Sequence, residues 1–152
     1  MDDIEDNWTQ FANLTLMDIF ISKNQSVPLG LIMNSIGNDP KLIAKIREGI
    51  QRGLFELALH GWDHVEYTNL SEQEQHDSLK KANEKMQRLF GQKSNIFIPP
   101  FNSFNDSTLN AMRKLSIRII SSGVDNDKNI FYTRWLFVCR ISRRRGHLQN
   151  NS

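Results

Sequence analysis

The chain has 152 residues, 39% of them hydrophobic and 24% charged, with a formal net charge of +2. That length suits one domain with a real core rather than two, and so small a net charge gives no electrostatic case for nucleic acid as a partner. The single cysteine, Cys139, excludes an internal disulfide framework and fits a reducing compartment, and no apolar run approaches the roughly 18 to 20 residues that span a bilayer.

Charge is uneven along the chain. The opening MDDIEDN carries four acids, and RISRRRGH near the end carries four arginines. The basic stretch reads as a solvated, frayed tail. The acidic start lacks the basic and apolar regions of an export signal, so a cytoplasmic location is expected for the chain as given, with export on a longer precursor left open. Cys139 has no nearby histidine before His147 and reads as a small buried hydrophobe rather than a nucleophile.

In chain order, residues 8–23 place Phe11, Leu14, Met17 and Ile21 on one helical face. VPLGLIMN (27–34) is short and apolar after a polar break, as a buried strand would be. Asp39 and Pro40 then supply a cap and a first-turn proline, followed by Leu42, Ile43, Ile46 and Ile50 at helical spacing. FELALH (55–60) is the next strand. Ser71 and Glu74 form a capping-box pattern ahead of a stripe of Leu79, Ala82, Met86, Leu89 and Phe90, which Gly91 ends. NIFIPP (95–100) reads as a strand closed by two prolines. A short helix over 106–115, with Leu109 and Met112 inward, leads to a last strand, IRIISS (117–122).

Helix and strand alternate, the pattern of a parallel sheet wrapped by helices. The organisation is clear for residues 1–123. Residues 124–152 form a less defined C-terminal segment in which DNDKN is a turn, FYTRWLFV reads as a possible further strand, and the basic tail looks unstructured. No strand precedes the first helix, and too few elements follow to close a barrel. The expected architecture is a small open sheet or part of a larger one.

Functional groups of parallel α/β folds gather beyond the carboxyl ends of the strands. Three polar clusters fall at such places: Asp2 and Asp3, where a leading strand would end; His60 to His64, after FELAL; and Pro99, Pro100, Phe101 and Asn102, after NIFI. Two imidazoles and a carboxylate suit a divalent cation such as zinc. A second, adjacent carboxylate can act as general base, because neighbouring side chains on extended backbone point different ways. Alone, the two histidines four apart are a weak signal. Their combination with acids and prolines at three strand ends is a stronger one.

These motifs, D-D near the start, H-G-W-D-H, and a strand ending P-P-F-N, resemble the polysaccharide deacetylase (NodB-like) superfamily, nearest its divergent branch with HG-x-x-H and PP-aromatic-N. The resemblance covers residues 2 to about 123. It implies an α/β fold, an incomplete or distorted (β/α) barrel, and metal-dependent hydrolysis of an acetyl group on a carbohydrate. Position by position, it makes Asp2 the catalytic base and makes Asp3, His60 and His64 the ligands of a divalent metal, zinc first. Pro100 and Phe101 would shape one wall of the substrate groove. The oxyanion would rest on the metal and on a backbone N–H near Phe101.

The sequence departs from the family pattern in five places, one of them the lack of a convincing later Asp-Trp segment. Gly61 stands where Ser or Thr is usual. Ile98 occupies the position of an arginine that orients the base. His147 is a poor match for the late histidine that serves as general acid, and the first strand is missing. A domain lacking that strand is therefore expected. Two further readings stay open: a catalytically impaired, carbohydrate-binding relic, or a structural α/β domain whose histidines bind no metal.

Several residues carry two readings each. Trp62 stacks on a sugar ring or anchors its loop. Asp63 hydrogen-bonds a ligand histidine or is a solvated acid. Asn102 contacts substrate or forms a turn. His76 is read as surface, and Glu5 and Asp6 as acids favouring the start of the first helix.

Overall fold

The computed structural model describes residues 1–6 and 10–122. Four parallel strands lie side by side in chain order: β1 (Val27–Leu31), β2 (Phe55–Leu59), β3 (Ile96–Phe97) and β4 (Ile119–Ile120). Four helices alternate with them: α1 (Gln10–Ser22), α2 (Pro40–Gln51), α3 (Glu72–Phe90) and α4 (Asp106–Lys114). Right-handed crossovers between strands that succeed one another without a reversal carry their helices to one face of the sheet. That is barrel winding, distinct from the reversed strand order of a doubly wound sheet.

Local chemistry sets the element boundaries. Asp39 accepts the N–H of Lys41 at the start of α2, with Pro40 as its first residue. At α3 both halves of the Ser71–Glu74 capping box are made, and Gly91 closes the helix in the left-handed conformation. A second capping box, Asn105 with Thr108, opens α4 and was not among the sequence expectations. β3 is short because Pro99 and Pro100 follow it. Its entrance is built by buried Ser94, whose hydroxyl donates to Leu57 O at 2.7 Å while Asn83 pairs with its backbone.

The core runs along the sheet and the inner helix faces: Met17, Leu29, Leu31, Leu42, Ile46, Leu59, Leu79, Met86 and Phe97 are fully enclosed. Three expectations need correction. Phe11 does not face the core; it is 85% exposed, and α1 buries Asn13, Met17 and Ile21 instead. α1 is apolar nearly all round, so the periodicity of its hydrophobic residues could not select a face. α4 turns Thr108, Ala111 and Met112 inward, with Leu109 only half-buried. Asp6 does not lie free before α1: it is buried, its N–H donates to Ser35 O and its carboxylate accepts the N–H of Asn38 at 2.6 Å.

The outer edge of β1 is not bare, as the absence of a leading strand implied. Residues 1–6 run beside it, joined by a parallel bridge between Ile4 and Leu31 and by bonds from Gly30 N–H to Met1 O, from Ile4 N–H to Gly30 O, and from Ile32 N–H to Ile4 O. Val27 N–H bonds Leu54 O on the β2 side, so the strand's alternation points the missing N–H of Pro28 outward, where a proline is tolerated. Among the described residues no helix is long and apolar enough to cross a membrane. Cys139, His147, the FYTRWLFV stretch and the basic tail lie outside the described residues.

Candidate metal centre

Three segments meet at the carboxyl end of the sheet. Residues 1–3 pass beside Gly30, and the approach is close: a Cβ on Gly30 would lie 3.2 Å from Cα and Cβ of Asp2 and from Cδ1 of Ile98. Immediately afterward Asp3 turns into the left-handed region, φ 55°, rather than staying extended. Aspartate tolerates that conformation better than most residues. The turn sends the Asp3 carboxylate toward the end of β2.

His60 follows β2 directly and is almost fully buried. Its Nδ1 lies 2.7 Å from the carbonyl oxygen of Ile98, an atom that can only accept, so Nδ1 carries a hydrogen and, in the neutral ring, Nε2 the lone pair. That Nε2 faces Asp3 Oδ1 at 3.2 Å, and His64 Nε2 is also 3.2 Å from the same oxygen. One donor atom from each of Asp3, His60 and His64 can be chosen so that all lie within 4.8 Å of one another. A lone pair aimed at a carboxylate is repulsive unless a proton or a metal cation stands between them, and a cation can serve all three donors at once. Donors at about 2.1 Å from a tetrahedral centre are about 3.4 Å apart, close to the spacing here. The residues present therefore fit a divalent cation.

The loop that carries the histidines is held from beneath. Gly61 has φ +92°, and a Cβ there would sit 2.6 Å from Asp63 O and 3.3 Å from the Tyr67 hydroxyl. The usual Ser or Thr cannot occupy this turn without strain. Tyr67 is fully enclosed, and its hydroxyl is 2.7 Å from Ser78 Oγ on α3. Burial pushes its phenol up to about 12.

Phe101 lies on the other side of His64, ring centroids 4.7 Å apart, and is 64% exposed. Phe101 and Asn102 are both left-handed, at φ 57° and 54°, an uncommon arrangement for side-chain-bearing residues. A clasp steadies them: Ser103 Oγ and Thr68 Oγ1 both donate to Glu66 Oε1 at 3.0 Å, and Ser122 Oγ donates to Asn102 O. The Ser103 hydroxyl, followed by that of Thr68, holds the Glu66 carboxyl below its ordinary value. Pro100 is buried beneath this turn.

The remaining sequence candidates separate. Asp2 is exposed, is not part of the converging donor set, and has Ile98 for a neighbour. Trp62 is half-buried, with Lys81 Nζ 3.9 Å above its ring. The Asp63 carboxylate accepts from Asn34 Nδ2 at 2.7 Å, not from a histidine. His76 pairs with Asp77 on α3. Sequence reasoning missed Ile98's carbonyl, Tyr67, Ser78, Asn34 and the Glu66 clasp. The Ser/Thr/Glu composition around 66–69 and 103 was the one available signal; a backbone carbonyl gives none.

The model of the polysaccharide deacetylase family matches residues 17–120. The chain belongs to that family. Solved structures with the same fold include a family 4 carbohydrate esterase pseudoenzyme from Bacillus anthracis (20% identity, TM-score 0.64, 77% of this chain and 40% of that one). They also include the chitin deacetylase of Colletotrichum lindemuthianum (18%, 0.65, 74% and 50%) and a family 4 acetyl xylan esterase from Clostridium thermocellum in complex with a cobalt ion (22%, 0.61, 73% and 51%). No curated protein matches in sequence. The part of this deacetylase-family chain that matches corresponds to about half or less of the length of these structures. Its four parallel strands form an incomplete (β/α) barrel of the deacetylase type.

Proposed function

We propose that the chain is a metal-dependent hydrolase that removes acetyl groups from a carbohydrate, with N-acetyl amides ahead of O-acetyl esters. The observation that carries this reading is the convergence of Asp3, His60 and His64, whose potential donor atoms lie within 4.8 Å of one another. These residues would hold a divalent cation, and two imidazoles with one carboxylate favour zinc. When bound, such a cation supplies Lewis acidity, polarising an acyl carbonyl and acidifying water.

The chain's own groups do the rest. Asp2 takes the proton of the attacking water; no hydrogen bond or ion pair among the described residues engages its carboxylate. The N–H groups of Asn102 and Ser103 are spent on Pro99 O and Pro100 O, which leaves the Phe101 N–H as the donor for the developing oxyanion. The Phe101 ring beside His64 would wall the substrate groove, with Pro100, Asn102 and Trp62 as further substrate contacts.

Ile98 supports a second reading. An aliphatic side chain lies beside Asp2 where the resemblance calls for a base-orienting arginine, which suits a relic that binds sugar without turnover. Acetate release from acetylated oligosaccharides by the zinc-loaded protein, set against Asp2→Asn, separates the two. The hydrolase reading expects release that depends on zinc and on Asp2. Equal release by both proteins would sink it, and purified protein that retains no stoichiometric metal would remove the metal centre from both readings.

A further inference from the structure

We infer that the glycan taken at this site is anionic, its carboxylate or phosphate groups held by Lys81, Lys85 and Arg88 beside Trp62. This rests on the deacetylase reading above and narrows its substrate class. The three cations recur at i, i+4 and i+7 along α3 and so share one face. Two of them converge on one indole: Lys81 Nζ lies 3.9 Å and Lys85 Nζ 5.4 Å from the Trp62 ring centroid. That indole belongs to the loop carrying His60 and His64 and stands two residues from each in the chain.

No ion pair among the described residues engages the cluster, although the Asp6 carboxylate acts on Lys85 through space. Among the described residues, the ion pairs of lysine and arginine involve Lys45, Arg52 and Lys114, on other faces. Lys85 is half-buried and spends one donor on Asn34 O at 3.3 Å. Burial holds its ammonium below the ordinary value, Arg88 and Lys81 add to that, and Asp6 opposes it. Asp6 also accepts the N–H of Asn38, Asp63 accepts from Asn34, Asp77 is bound by Gln73 and His76, and Glu84 on α3 forms no ion pair with the cluster.

The run extends beyond α3's middle. Like charges gathered on an aromatic ring and continued along a helix suit a chain of spaced anionic groups rather than a single ion. Carboxylates of uronate residues and phosphates of a phosphodiester-linked glycan share this chemistry.

The test measures binding, not turnover. Calorimetry on the zinc-loaded full chain compares three acetylated oligosaccharides of equal length: neutral, uronate-bearing and phosphate-bearing. At least one anionic oligomer is expected to bind about fivefold tighter than the neutral one, the gain two partly desolvated ion pairs supply. The advantage should disappear in about 0.5 M salt, where screening is short-ranged. Lys81→Ala/Lys85→Ala should abolish it without altering affinity for the neutral oligomer or for zinc, and Lys81→Glu/Lys85→Glu should reverse it. Whichever anionic oligomer binds identifies the source of the charge. Equal binding of all three oligomers, or an advantage indifferent to both double variants, overturns the inference. Lysine-dependent binding without acetate release from any oligomer would instead remove the hydrolase reading and leave this surface standing.

Discussion

The imidazole of His60 donates from Nδ1 to the carbonyl oxygen of Ile98 at 2.7 Å, so the residue after β3 decides which nitrogen of the residue after β2 faces Asp3. Among the described residues His64 has no such partner; its side chain is a third exposed and lies against the Phe101 ring. Replacing the two histidines should therefore have different consequences. His60→Ala leaves a buried carbonyl unpaired and opens a void, costing about 1–3 kcal/mol of stability as well as the metal. His64→Ala should lose metal at nearly unchanged stability. Urea unfolding of the metal-free proteins and metal analysis after dialysis check both.

Gly61→Ala should be more damaging than its size suggests. Its φ of +92° disfavours any side chain, and the added methyl would meet Asp63 O at 2.6 Å. Backbone strain of this kind costs on the order of 1–3 kcal/mol. The loop would have to shift, taking His64 with it, so zinc affinity should fall together with thermal stability. A variant that keeps wild-type zinc affinity would show that the turn does not set the position of His64.

Much of this architecture can be read from residues that act locally. Ser71 and Glu74 announce α3, Asp39 and Pro40 announce α2, and the two prolines after Ile98 end β3 where the sequence says they must. His60 and His64 are recognisable by type and spacing, and Asp3 by its place before α1. What the sequence hides is whatever depends on a partner far along the chain. α1 scatters its apolar residues round the helix, so only its packing, chiefly on α2, explains why Met17 is enclosed and Phe11 exposed. Residues 1–6 are too polar to read as a strand, yet they bond to the edge of β1 through their backbone and bury Ile4 in the core. The orientation of His60 comes from a carbonyl, and every residue has one.

Tyr67 provides a pH test of the support beneath the histidine loop. Its phenol is raised by burial from an ordinary 10 to about 12. A folded-state value above the unfolded one means a contribution that is complete below pH 10 and is lost as pH rises toward 12. Two units correspond to at most about 3 kcal/mol. Tyr67→Phe lacks the titrating group, so it should be less stable than wild type near neutrality, having lost the bond to Ser78, and should close that gap between pH 10 and 12. Melting curves of the two proteins across that range measure it; a constant difference would mean that the Tyr67 hydroxyl is not enclosed.

The last prediction concerns Ile98 and Asp2, which crowd the same point beside Gly30. Ile98 is half-buried, so a longer side chain can leave its stem in place and carry a charged head outward. A guanidinium there would hold the Asp2 carboxylate in one orientation and keep it ionised. Ile98→Arg should then raise acetate release at saturating zinc on the order of tenfold, a small part of the roughly 100- to 10,000-fold that a well-placed base contributes. Zinc affinity should barely change, because the backbone carbonyl that orients His60 is retained. Adding Asp2→Asn to Ile98→Arg should erase the gain. If the gain survived that second substitution, the arginine would be acting on some other group, and Asp2 would lose its assignment as the base.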